Sequence, residues 1–147
     1  MTRVLVVNGP NLNMLGTREP DIYGRTTLAE IEAALRARGS ELGLEVECFQ
    51  SNHEGALIDR LQQRDFDWAI VNAAGLTHTS VSLRDTLKGI DRPFVEVHIS
   101  DPETREEFRR VNFLRDIAAR RVVGRGPAGY TMALEFIAGR VADGTGR

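Results

Sequence analysis

Cysteine is almost missing from this chain: Cys48 stands alone, which excludes an internal disulfide. Lysine is equally scarce, with Lys88 against 18 arginines, and it sits beside Gly89 near an expected helix end. Schiff-base chemistry therefore has one poorly placed candidate. The three histidines, His53, His78 and His98, fall in separate segments without H-x-x-x-H spacing, and nothing argues for a metal site. No apolar run approaches the ~20 residues of a membrane span. A net charge of −2 gives no electrostatic case for nucleic acid, whose binding needs a basic face. The first residues enter a strand at once, without the features of a signal peptide, so a cytoplasmic protein is expected.

What is present describes an ordinary globular chain. Residues 1–147, 41% hydrophobic and 27% charged, are expected to form one domain large enough to bury a core unaided. Buried-type apolar runs alternate with amphipathic segments. Strands are predicted over Arg3–Asn8, Leu44–Phe49, Asp67–Asn72, Pro93–Ile99 and Arg121–Gly124. Helices are predicted over Thr27–Leu42, Glu54–Arg64, Ser80–Gly89, Pro102–Val111 and Ala128–Ala142, and the tail Asp143–Arg147 should fray. Thr27 and Glu30 stand at capping-box spacing, and Asp101-Pro102 reads as an N-cap followed by proline at the first helical position. Strand–helix alternation with right-handed crossovers predicts an α/β fold, a flavodoxin-like three-layer sandwich around a five-stranded parallel sheet.

Ligands of such sheets bind beyond the carboxyl ends of the strands, which here carry Asn8, Gln50, Asn72 and His98. Four polar residues converging on one edge favour a site there. The first connection, NGPNLNMLGTREPDIYG, runs to about 17 residues where a median loop has ~4–6, the length of a lid or binding loop over about residues 9–25. It carries a permanent cation, Arg18, and a titratable phenol, Tyr23. On the fourth strand Glu96 and His98 lie two apart, hence on one face. A buried carboxylate needs a partner, and the adjacent imidazole is the nearest; the pairing would fix the histidine tautomer, as a general acid requires. Beyond it, Ile99, Ser100 and the start of the next helix offer backbone N–H groups and a hydroxyl to an anion, with Arg105 and Arg109 one turn apart. Small residues around Ala73–Gly75 let the backbone approach a ligand, and His78 beside them can donate or accept. Gly124–Gly129 spells G-x-G-x-x-G, but it follows the last strand and Pro127 lacks an N–H; it reads as tight packing rather than a nucleotide turn.

Together NGPNLNMLGTREPDIYG, FQSNHEG (49–55), NAAGLTHTS (72–80) and EVHISDP with its REEFRR segment resemble the type II 3-dehydroquinate dehydratases, in order along nearly the whole chain. The resemblance implies dehydration of 3-dehydroquinate to 3-dehydroshikimate by anti elimination through an enolate, without cofactor, Schiff base or metal. The step belongs to the shikimate pathway of aromatic amino acid biosynthesis and to quinate catabolism. It implies Tyr23 as base, Arg18 as the cation that keeps it ionised, and His98 oriented by Glu96 as acid; one close arginine shifts a phenol by only ~1–3 pH units, and Arg105 is the candidate for a second contributor. Asn11 matches the residue holding a water against the enolate oxygen. Asn72, Ile99 and Ser100 match the substrate carboxylate site, and His78 and Arg109 the hydroxyl-binding positions. Asp85 matches the residue that reaches a neighbouring subunit's site in a homo-oligomer, a dodecamer built from trimers. The chain departs from the family pattern over Val111–Asp116 and in the arginines Arg120, Arg121 and Arg125. None of these is a matched catalytic position, so the departures bear on assembly contacts rather than chemistry.

Overall fold

In the computed structural model, residues 1–17, 21 and 24–144 are described; Arg18 and Tyr23 lie outside the described residues, as does the end of the tail, 145–147. Five strands form one parallel sheet: β1 (Thr2–Asn8), β2 (Leu44–Gln50), β3 (Trp68–Asn72), β4 (Phe94–His98) and β5 (Arg120–Val123), in the order β2-β1-β3-β4-β5. This is the flavodoxin order, with its switch point between β1 and β3. Among the described residues four α-helices cover it: α1 (Leu28–Leu42), α2 (Glu54–Gln62), α3 (Val81–Gly89) and α4 (Ala128–Ala142).

Period-two alternation along the strands decides the layers. Val4, Val6, Trp68, Ile70, Val95 and Val97 face α1 and α4, where they meet Ile31, Leu35, Leu134 and Ile137. Leu5, Val7, Ala69, Val71 and Phe94 face the opposite side and meet Leu57 and Leu61 of α2 and Leu83 and Leu87 of α3. Each such aliphatic side chain contributes roughly 1.5–3 kcal/mol by leaving water. Local signals set the helix ends. The Thr27 hydroxyl accepts from the Glu30 N–H at 3.2 Å and Glu30 accepts from the Thr27 N–H at 3.2 Å, completing the expected capping box. Ser80 caps α3 by accepting from the Leu83 N–H at 2.9 Å.

The structure corrects one predicted element. Pro102–Val111 is not a helix but two 3-10 turns, Pro102–Thr104 and Glu107–Arg110, interrupted where Arg105 adopts extended backbone (φ −109°, ψ −151°). Asp101 caps the first turn as expected, its Oδ1 accepting from the Glu103 N–H at 3.0 Å, but the Thr104 hydroxyl donates to the Asp101 carbonyl at 2.8 Å and so competes with the backbone for that acceptor. The expected anion site at a helix N-terminus therefore loses its helix.

The strand ends are stitched to one another. Gly9 N–H donates to the Asn72 carbonyl at 2.8 Å, and Ser51 N–H to the Asn8 carbonyl at 3.1 Å. A Cβ on Gly9 would stand 2.5 Å from the Ala73 carbonyl oxygen, backbone that cannot swing aside. Gly9→Ala is therefore expected to cost about 1–3 kcal/mol as overpacking does, read by urea unfolding. An unchanged denaturation midpoint would contradict the close approach.

Candidate active site

The carboxyl ends of β1, β3 and β4 open into a cleft of about 120 Å³. Asn11 stands on its rim in left-handed conformation (φ 72°), its N–H donating to Asn52 Oδ1 at 2.9 Å. The 3-10 turn Leu12–Met14 follows, and the buried Leu12 and Leu15 anchor this start of the long connection. Gln50 spends its amide on the Gly9 carbonyl at 3.2 Å, and it serves the loop rather than the cleft.

The floor is a buried amide–phenol network. Tyr130 of α4 donates its hydroxyl to Asn8 Oδ1 at 2.6 Å and accepts from Asn72 Nδ2 at 2.9 Å. Asn72 Oδ1 accepts from the Ala74 N–H at 3.1 Å, which leaves the second Nδ2 hydrogen as the group Asn72 can offer a ligand. Asn8 Nδ2 is buried without a partner among the described residues. Burial drives the Tyr130 phenol far above its ordinary value, against the opposing Asn72 bond, so it stays a neutral hydroxyl.

On β4, Glu96 is fully buried and His98 is 6% exposed, and His98 Nε2 bonds Glu96 Oε2. Asn112 Nδ2 donates to the same oxygen at 2.6 Å, and Arg121 Nε donates to Oε1 at 3.0 Å. Burial pushes the Glu96 carboxyl up, but the bonds from His98 and Asn112 and the Arg121 charge outweigh it and hold the group below the usual carboxylate range. Glu96 is thus a carboxylate, His98 Nε2 carries a hydrogen, and Nδ1 is the nitrogen left to exchange a proton at the cleft.

His78 sits across the cleft on the 3-10 turn Ala74–His78, its Nδ1 2.6 Å from the Val111 carbonyl. A carbonyl only accepts, so Nδ1 donates. Burial lowers the His78 pKa, with His98 and Arg109 adding to it against the Val111 bond. The ring is neutral, and its Nε2 is an acceptor for a ligand hydroxyl. Ile99, Ser100, Arg105 and Arg109 close the same cleft. Glu106 lies between the two arginines, 3.0 Å from Arg109 Nε and 3.8 Å from Arg105 Nε. Two cations, an amide and a hydroxyl around one small concavity suit an anionic, hydroxylated ligand.

Among the described residues, then, Asn11, Asn72, His78 and His98 come together with Ile99, Ser100, Arg105 and Arg109, and Glu96 backs His98. Asp85 does not join them: it is exposed on α3, in a separate surface hollow with Arg64 and Gly89. Arg18 and Tyr23 fall outside the described residues. The sequence reading missed Asn112, Arg121 and Tyr130. It assigned the first two to assembly contacts, whereas both bond the Glu96 carboxylate. Arg121 stands in register beside Glu96 on the neighbouring strand, a pairing that no sequence spacing marks. The G-x-G-x-x-G turn is a packing device: Gly124 N–H donates to the His98 carbonyl at 3.1 Å and Gly126 N–H to the Ile99 carbonyl at 3.0 Å. Among the described residues no group of three or more His, Cys, Asp or Glu is placed to hold a metal ion, and no helix is long and apolar enough to cross a membrane.

The model of the family Dehydroquinase class II matches residues 2–138. The chain belongs to that family. Its enzyme class is accordingly that of a type II 3-dehydroquinate dehydratase. A catabolic 3-dehydroquinase of Verticillium alfalfae is 49% identical over 138 residues, covering 92% of each chain. The 3-dehydroquinate dehydratase 1 of Ralstonia nicotianae is 51% identical over 144 residues, covering 96% of this chain and 92% of its own. The crystal structure of a type II dehydroquinase from Butyrivibrio crossotus aligns with a TM-score of 0.90 at 38% identity, over 92% of this chain and 97% of that one. Sheet order, cleft and the Glu96–His98 pair thus sit on a dehydroquinase scaffold.

Proposed function

We propose that this dehydroquinase removes water from 3-dehydroquinate by anti elimination through an enolate, in one cytoplasmic domain and without Schiff base or metal. The observation that carries the reading is the buried Glu96–His98 pair at the mouth of the cleft. His98, its Nε2 bonded to a carboxylate, protonates the departing hydroxyl from Nδ1. Tyr23 takes the proton alpha to the ketone, and Arg18, with Arg105, holds it as phenolate. Asn11 holds a water against the enolate oxygen.

Binding divides along the cleft. The substrate carboxylate meets the second Asn72 N–H, the Ile99 backbone and the Ser100 hydroxyl; with no helix behind them, these hydrogen bonds and the nearby arginines supply the attraction. His78 Nε2 accepts from one substrate hydroxyl and Arg109 donates to another. Asp85, outside its own cleft, fits a role at a neighbouring subunit's site, in a dodecamer of trimers.

Adding 3-dehydroquinate to purified protein is expected to produce the ultraviolet absorbance of a conjugated enone, by a species that light scattering finds as a dodecamer. Assembled protein with no absorbance growth would end this reading. The word catabolic belongs to the fungal relative's name, and the Ralstonia relative's name lacks it; the step serves both quinate breakdown and shikimate formation.

A further inference from the structure

Arg121 does not line the cleft, yet its placement is too specific for a surface cation. It lies on β5 in register with Glu96 of β4, and its Nε donates to Glu96 Oε1 at 3.0 Å. The other carboxylate oxygen is shared by Asn112 Nδ2, at 2.6 Å, and His98 Nε2. Asn112 is itself fixed: its Oδ1 accepts from the Leu114 N–H at 2.7 Å and the Arg115 N–H at 2.9 Å. With one oxygen held from β5 and the other from the 112–115 turn, the carboxylate plane cannot rotate away from the imidazole. Without Arg121, Oε1 has no other bond among the described residues, and a fully buried carboxylate with an empty oxygen is strongly disfavoured.

We propose that Arg121 is a positioning residue for the reaction, holding the Glu96 carboxylate in plane with His98 and offsetting its charge, so that the imidazole is oriented yet still gives up its proton. This rests on the reading of His98 as the acid. Among the described residues the other charged or titratable groups around the pair are His78, from the turn beyond β3, and Arg105 and Arg109, from the segment beyond β4; β3 presents Val71 opposite Glu96.

The sign follows from charge. The Glu96–His98 pair loses its last proton to become a net anion, a step the neighbouring guanidinium favours. Removing Arg121 makes that anion harder to form, so the pair holds its proton to higher pH, whichever residue carries it. In Arg121→Leu the His98 titration, followed by histidine side-chain NMR and assigned through its loss in His98→Gln, is expected to move up by about one pH unit. With 3-dehydroquinate, kcat should fall on the order of tenfold to a hundredfold as the pair loses alignment, with KM within about twofold of the parent. Arg121→Lys, which keeps the charge, should bring the midpoint most of the way back. Arg121→Gln is the second neutral variant should the leucine protein not fold, with the same upward shift expected. An unmoved His98 midpoint in a folded neutral variant, or a shift that Lys does not reverse, would overturn the proposal. If the parent protein turns over no 3-dehydroquinate, the catalytic reading falls, while the NMR titration still decides what Arg121 does.

Discussion

His98→Gln is expected to lower kcat by about 10²–10⁴-fold, the usual worth of a positioned general acid, and to leave KM for 3-dehydroquinate within a few-fold of the parent. Glutamine can keep a donor toward Glu96, so the buried carboxylate is not orphaned and the change isolates the missing proton. Two effects compete in that variant. Losing the Glu96 bond outright would leave an uncompensated buried charge and destabilise the protein by several kcal/mol; losing only the acid would leave stability close to the parent. Retained Asn112 and Arg121 contacts to Glu96 argue for the second outcome. Steady-state enone absorbance together with a urea melt separates them. A loss confined to KM would reassign His98 to binding.

Tyr23→Phe is expected to reduce turnover by a comparable ~10²–10⁴-fold, with substrate binding by calorimetry little affected. A phenol ionises near pH ~10, so keeping one as phenolate at neutral pH takes about 4 kcal/mol of differential stabilisation. One close guanidinium supplies a shift of ~1–3 pH units, which falls short or barely suffices. A second cation is therefore part of the expectation, and Arg105, which lines the cleft with its side chain 15% exposed, is the candidate. Arg18→Gln weakens the ionised form, so the ascending limb of the pH–rate profile should move to higher pH. Turnover by the Tyr23→Phe variant near that of the parent would remove tyrosine as the base, and an unshifted limb would clear Arg18 of the electrostatic role.

Much of this architecture was legible because local rules and the tertiary fold agree. The apolar run Val4–Val7, the Thr27–Glu30 capping box and the two-residue spacing of Glu96 and His98 each state their own outcome, and each is found. The predicted helix over Pro102–Val111 failed where they disagree. Its charged residues have helical spacing, but the Thr104 hydroxyl bonds the local backbone, and Arg105 reaches the cleft from the extended residue between two 3-10 turns while Arg109 reaches it from the second turn. The partners of Glu96 were illegible for another reason. Arg121 lies 25 positions away in sequence and Asn112 lies 16, and only sheet register and a loop turn bring them to one carboxylate.

The Tyr130 hydroxyl ties the cleft to the hydrophobic interior. It joins Asn8 at the end of β1 and Asn72 at the end of β3 from beneath, while its ring is wholly enclosed by the α4 layer. The side chains at two adjoining strand ends thus borrow rigidity from the seating of the last helix. On warming, any loosening of that helix reaches the catalytic edge before the strands separate, so the temperature at which turnover fades should lie below the temperature at which the sheet melts.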